Sequence, residues 1–459
     1  MKKIKLSNSI KNVTKVSLGT VIGQIVSIVT LPIITRLYSS EIIGIWTTIN
    51  SFSIISLYVC DLGLTNVLMM SDDSKLQYLY SIITKICIVL CIIISICLFG
   101  YNILSNGDIK YSLMICCFVG VYTFLLAYEN ICSTILTRKE EYTVLMKNSA
   151  IRFISAALIS IGLGLIGFKS LGYYIGNVFG IFFTIGNMIR FMPKVIKIES
   201  IKCYILTIKE NINYLKYQMP SSISVNLRTE LPNLLIGGLF GNEILGYYSI
   251  SQKLLTIPIT FLGQSLGKVF YQSIAKMKRS GQDIAAYFNK NLNRGMIVAL
   301  IPMIFLAAYG DVAITMFFGK EYSIGGVISR IVVYRSLFNF ISTATRGLDI
   351  VLDKQHYVLY SCVSQTILAI MSVLVGYYVF DSIYAAVIIL VASFIVVQII
   401  YFSKMYIALN LNYKQYLLRT FTIIAILFIG SSLLRYSTIY ILQLGDFEIF
   451  KHILNYFIM

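Results

Sequence analysis

Residues 217–275 read YQMPSSISVNLRTELPNLLIGGLFGNEILGYYSISQKLLTIPITFLGQSLGKVFYQSIA, and this stretch decides the architecture. It divides at Gly241-Asn242-Glu243 into two segments, each long enough to cross a bilayer as a helix rising about 1.5 Å per residue. The first carries Arg228 and Glu230 in its middle, with Pro220 and Pro232 on either side. The second opens on Gly246-Tyr247-Tyr248-Ser249, carries Lys253, and runs through Pro258 to Gly263 and Gly267. An ionised side chain at bilayer depth costs roughly 2.5–3.5 kcal/mol on insertion scales. Such residues persist where they face a watery cavity or a partner inside a helix bundle. The stretch therefore predicts a polar interior within a membrane protein.

The rest of the chain agrees. Of its 459 residues, 57% are hydrophobic and 13% charged, against about 25% charged in a soluble domain. Apolar runs of about 18 residues or more recur from end to end, and the alternating pattern of barrel strands is absent. Backbone groups in lipid must then be satisfied within helices. The formal net charge of +18 reads as topology, because Lys and Arg collect on cytoplasmic loops. A nucleic-acid surface would need a soluble basic face. The nine cysteines lie mostly inside spans (Cys87, Cys91, Cys97, Cys116, Cys117) without a Cys-x-x-Cys pair, and His356 and His452 stand alone. Small apolar packing residues is the better reading, and neither a metal site nor a catalytic constellation is expected.

The expected fold is all-α and integral to the membrane, with about twelve to fourteen transmembrane helices in two parallel-repeat bundles around a central cavity. Spans fall near 13–37, 42–70, 79–101, 113–136, 148–168 and 171–191, which make a first six-helix bundle over 1–192. A basic amphipathic linker follows at 193–216, with Lys194, Lys197, Lys202, Lys209 and Lys216. A second bundle covers 217–409, with spans at 217–240, 245–275, 295–318, 323–352, 358–380 and 383–409. The segment 410–459 adds a thirteenth span at 417–434, and a fourteenth at 447–459 is doubtful on length. The basic N-terminus precedes a full-length apolar run without a cleavage site, so it reads as a retained first span with a cytoplasmic start. Basic clusters at 138–152, 190–216, 276–294 and 404–419 then share that side, and the opposite links are short and carry little beyond Lys110, Lys169 and Lys320.

An internal repeat supports two bundles. Residues 37–46 read LYSSEIIGIW and residues 239–248 read LFGNEILGYY, so Leu37, Glu41, Ile42, Gly44 and Trp46 align with Leu239, Glu243, Ile244, Gly246 and Tyr248. The copies lie six spans apart, which gives both halves the same orientation about an axis normal to the membrane, as in transporters that rock two halves around a central site. Chance convergence of two short turns is the competing account.

Charges inside the spans leave two readings open. In the first, they are paired and lock helices together. In the second, Arg228, Lys253, Arg335 and Arg346 bind an anion while Asp61, Glu129 or Glu230 relays an ion. Arg335 and Arg346 are three turns apart on one expected helix, with Asp349 at i+3 from Arg346 as a partner. A planar guanidinium suits phosphate because it donates two parallel bonds.

The block Leu245-Gly246-Tyr247-Tyr248-Ser249-Ile250-Ser251-Gln252-Lys253-Leu254-Leu255, continuing through Pro258, Gly263 and Val269-Phe270-Tyr271-Gln272, resembles the O-antigen flippases of the polysaccharide-export branch of the multidrug/oligosaccharidyl-lipid/polysaccharide (MOP) superfamily. Leu337-Phe338-Asn339-Phe340-Ile341-Ser342, Asp353-Lys354-Gln355 and Asp61-Leu62-Gly63 carry the likeness further. The resemblance implies a flippase of the bacterial inner membrane that moves an undecaprenyl-pyrophosphate-linked oligosaccharide, an O-antigen or capsule repeat unit, from the cytoplasmic to the periplasmic leaflet by alternating access. It implies coupling to a proton or sodium ion, contact with membrane lipids, and a polymerase or chain-length regulator as protein partner. Arg228, Lys253 and Arg346 match the family's cavity cations by their positions in the spans. A membrane-embedded polymerase or glycosyltransferase is a rival, disfavoured by the short external loops. A multidrug exporter or a peptidoglycan-precursor flippase of the same superfamily is a nearer one.

Overall fold

A computed structural model describes residues 2–106, 109–168, 171–196 and 201–444. The expected turns at 106–108 and 169–170, Lys197 of the linker and the doubtful span at 447–459 lie wholly or partly outside the described residues. Every regular element among the described residues is helical. In chain order the first are α1 (Lys2–Leu37), α2 (Ser40–Asp61), α3 (Thr65–Met70), α4 (Asp73–Asn106), α5 (Ile109–Arg138), α6 (Tyr142–Ile166), α7 (Gly172–Met188) and a short α8 (Ile201–Glu210). Then come α9 (Met219–Phe240), α10 (Asn242–Pro258), α11 (Gln264–Ser280), α12 (Ile284–Phe318), α13 (Ser323–Ala344), α14 (Leu348–Val351), α15 (Gln355–Tyr378), α16 (Ile383–Ala408) and α17 (Tyr413–Leu444).

Ten segments among the described residues are long and apolar enough to cross a membrane. Three spans read from the sequence fall outside that set for visible reasons. Helix α7 has 17 residues, α9 carries Arg228 and Glu230, and α10 passes into α11 through the π turn Ile259–Gly263. The linker 193–216 holds α8, and the backbone before it docks on α4, where Gln77 Nε2 donates to the Lys194 carbonyl at 3.0 Å and the Ile196 amide to Ser81 Oγ at 2.9 Å.

The chain forms two compact units, Met1–Leu234 and Leu235–Met459. The division falls inside α9, whose polar first part is tied to α2 by side-chain hydrogen bonds described below. Within the first unit the helix pairs are α4 with α5, α6 with α7, α2 with α5, and α5 with α7. Within the second they are α12 with α13, α15 with α16, α10 with α13, and α13 with α16. These four pairings are the same moved on by one repeat, whereas among the described residues the close α1–α6 pairing of the first unit does not recur as α9 with α15. In both units the repeat's glutamate, Glu41 or Glu243, sits in the first turn of its helix, where the macrodipole favours negative charge. Helix α17 is part of the second unit and packs along α12 and α16.

Two spans read as continuous are broken. Helix α2 stops at Asp61 and resumes as α3 after Leu62 (φ 51°) and Gly63 (φ 72°), a left-handed pair that ends a helix. A Cβ on Gly63 would lie 3.0 Å from the Tyr214 carbonyl. Helix α13 stops at Ala344, and Gly347 (φ 89°) precedes α14.

Helix α15 meets α16 so closely that a Cβ on Gly376 would lie within 2.6 Å of the Ala386 nitrogen and overlap its other atoms. Gly376→Val is therefore expected to destabilise the second unit by about 1–3 kcal/mol, the usual range for overpacking. Gly100→Ala, where a Cβ meets nothing within 4 Å, serves as the control in the same chemical denaturation series. Equal midpoints for the two variants would contradict the packing.

Candidate functional site

The interior polarity of the first unit starts on α2. Ser51 is fully buried, and its hydroxyl donates to Glu230 Oε2 at 2.7 Å. Asn233, one turn after Glu230 on α9, places Nδ2 3.2 Å from Ser51 Oγ and 3.3 Å from Glu230 Oε2. Glu230 takes part in no ion pair among the described residues. Arg228 is half-buried two residues earlier on α9, a spacing that turns it away from Glu230.

A second polar chain links α5, α6 and α2. Arg152 Nη1 pairs with Glu129 Oε2 at 3.0 Å, its Nη2 lies 3.5 Å from the Tyr122 hydroxyl, and that hydroxyl lies 3.4 Å from Asn50 Oδ1. Around it Trp46 packs on Tyr122 with ring centres 4.7 Å apart and stacks on Tyr174 at 6.0 Å. Glu129 is thus a paired charge. Its partner reads in sequence as one end of a basic loop cluster, but Arg152 lies ten residues inside α6. Asp61 is buried at the end of α2 and accepts both the backbone amide and the hydroxyl of Thr65, so it starts α3.

In the second unit Lys253 and Arg346 are exposed, and Arg335 is sealed between helices. The expected shared face of Arg335 and Arg346 does not exist, because α13 ends at Ala344 and leaves Arg346 in the break before Gly347. The expected Arg346–Asp349 pair is missing among the described residues for the same reason: i+3 neighbours face each other only on a continuous helix. The three cations therefore do not share one environment.

Sequence reading missed a triad, two of whose members are largely enclosed. Arg435 on α17 forks onto Asp311 of α12, with Nη2 2.8 Å from Oδ2 and Nη1 2.9 Å from Oδ1, and also donates to the Ala308 carbonyl at 2.9 Å. Arg330 on α13 approaches the same carboxylate at 3.5 Å. The available signal was Asp311, the lone charge of the run 295–318, and Arg435, which the sequence places just past the expected end of the thirteenth span.

Comparison with known proteins gives these polar groups a context. Residues 33–324 match a family described as "Polysaccharide biosynthesis protein". The chain belongs to that family. This polysaccharide biosynthesis family member is 24% identical over 350 residues to the capsular polysaccharide biosynthesis protein CapF of Staphylococcus aureus, covering 72% of this chain and 82% of CapF. Its fold is similar to that of the lipid II flippase MurJ in an inward closed conformation, with a TM-score of 0.69 over 98% of this chain and 96% of that one at 12% identity. It is also similar to an inward-facing multidrug resistance MATE family transporter of the MOP superfamily, with a TM-score of 0.56 over 86% and 93% at 11% identity. The resemblance read from the Leu245–Leu255 block holds at the level of family and fold. The family member is a multi-pass membrane protein with two compact helical units and a fold similar to that of these two solved structures.

Proposed function

We propose that this protein is a flippase that moves a polyprenyl-pyrophosphate-linked oligosaccharide, a capsule or O-antigen repeat unit, between the leaflets of the bacterial inner membrane. One conjunction carries the reading: a polysaccharide biosynthesis family chain takes the fold of a lipid flippase along nearly its whole length. The capsular relative supports the substrate class, and the transporter fold favours transport over catalysis. The positive-inside distribution supports a cytoplasmic N-terminus. Arg228, Lys253 and Arg346 would contact the pyrophosphate; Arg335, sealed in this state, would need another to reach it. Glu230 is the coupling carboxylate for a proton or sodium ion, because Glu129 is neutralised by Arg152 and Asp61 is committed to Thr65. A polymerase or chain-length regulator would take the product.

Likeness to MurJ keeps a peptidoglycan-precursor flippase as the second reading. A deletion strain separates them. The expected result is accumulation of a lipid-linked repeat unit in the inner membrane with loss of surface polysaccharide. Lysis with accumulation of the peptidoglycan precursor would support the second reading, and drug sensitivity alone would support an exporter.

A further inference from the structure

Arg335 stands in the middle of α13, twelve residues past Ser323 and so about 18 Å along the helix. Only 8% of it is exposed. Its Nη1 lies 3.5 Å from the Tyr248 hydroxyl of α10, and its guanidinium carbon sits 4.9 Å from the centre of the Phe394 ring of α16. Its Nε is buried with no acceptor. No ion pair among the described residues includes it. A carboxylate in such a place can take up a proton and become neutral, whereas a guanidinium keeps its charge in proteins. The face of Phe394 attracts the cation through its quadrupole but supplies no countercharge. An uncompensated buried ion is among the most destabilising arrangements a fold can contain.

The repeat sharpens the point. Tyr248 is the counterpart of Trp46, and α13 is the counterpart of α5, so the Tyr248–Arg335 contact matches the Trp46–Tyr122 contact of the first unit. There the nearby guanidinium, Arg152, is neutralised by Glu129, which stands seven residues after Tyr122 on α5. Seven residues after Arg335, the chain has Ser342. The second bundle keeps a buried guanidinium here, and among the described residues no acid pairs with it.

We propose that a small inorganic anion, chloride under ordinary cellular conditions, occupies this place and completes the second bundle between α10, α13 and α16. Arg335 supplies the charge through Nε. Tyr248 supplies a second donor, because its oxygen accepts from Nη1 and its own proton is left to point at the anion. Arg335 is 8% exposed and Tyr248 is fully buried, which favours a small ion over a lipid headgroup as the occupant. The anion is a structural counterion that draws three helices onto one charge, separate from the pyrophosphate contacts proposed at Arg228, Lys253 and Arg346.

The test uses the full-length protein purified in detergent, so it reads the site whether or not the transport reading is right. Thermal unfolding is followed with chloride exchanged for gluconate, alongside arms with inorganic phosphate and with a short-chain polyprenyl pyrophosphate. Saturating chloride is expected to raise Tm by a few degrees over gluconate, as for any ligand that binds only the folded state. Radiolabelled chloride is expected to bind at about one equivalent per chain. Tyr248→Phe should weaken that binding while leaving the fold intact. Arg335→Gln should abolish both the binding and the chloride increment, and Arg335→Lys should keep part of each. If chloride and gluconate give the same Tm and no labelled chloride is retained, the proposal fails. Stabilisation by the polyprenyl pyrophosphate alone would also overturn it and make Arg335 a substrate contact instead. Chloride binding that survives Arg335→Gln would place the anion elsewhere.

Discussion

Asp311→Ala is expected to destabilise the second bundle by roughly 3–5 kcal/mol, the cost of removing one partner from a buried ion pair. The carboxylate balances two guanidinium groups, one of them a two-bond fork from α17, and both Asp311 and Arg435 have side chains only 14% exposed. Neither arginine can shed its charge, so the variant leaves positive charge at a contact of α12, α13 and α17 that lipid cannot solvate. The same contact carries the Tyr309–Thr438 hydrogen bond at 2.6 Å, and Arg419 reaches Asn289 at 3.1 Å nearer the other end of α17, so the helix will not simply leave. The expected signature is a lower midpoint in chemical denaturation of detergent-purified protein, with membrane insertion retained. Asp311→Leu combined with Arg435→Met and Arg330→Met should recover most of the loss, because replacing every member of a buried ionic group by apolar side chains is often near neutral. An Asp311→Ala midpoint within the error of wild type would show that the triad is solvated and energetically idle.

That triad also marks where sequence reading ran out. Ten of the span positions followed from hydrophobicity, because in lipid a run of apolar residues has only helix available to it. The repeat was legible in ten residues because the turn between two spans needs a cap, an acidic first turn and a small residue in order. The breaks at Leu62-Gly63 and Arg346-Gly347 were hidden, because composition does not distinguish a kinked span from a straight one. Their cause is a left-handed backbone that only the structure displays. Pairing was the least legible layer. Glu129 could have been matched to any of several cations, and its partner on α6 is fixed by helix packing that no spacing rule within one helix encodes. Asp311 and Arg435 lie 124 residues apart in sequence. Glu230 was visible as a membrane-depth charge, but Ser51, the residue that holds it, was one serine among many on α2.

Glu230→Gln is expected to lower export at least about tenfold while leaving the fold unchanged, and the reasoning turns on what the substitution preserves. The Gln carbonyl oxygen has two lone pairs and can accept from both Ser51 and Asn233, so the local hydrogen bonds survive. Only the charge is removed. If Glu230 were structural, the variant would match wild type; if it carries the coupling ion, transport loses its response to the gradient. A charge-assisted hydrogen bond is worth about 1.5–3 kcal/mol, which corresponds to a tenfold effect or more. The measurement is movement of lipid-linked oligosaccharide in proteoliposomes under an imposed proton or sodium gradient, and the gradient that wild type answers to identifies the ion. Arg228→Ala is the necessary companion. It lies two residues away on the same helix but on another face, so it tests substrate contact rather than coupling. It should abolish export with the protein still inserted, whereas Glu230→Gln should retain slow, gradient-independent movement. Wild-type surface polysaccharide in the Arg228 variant would remove that residue from the mechanism, and an undiminished gradient response in the Glu230 variant would move the coupling carboxylate elsewhere.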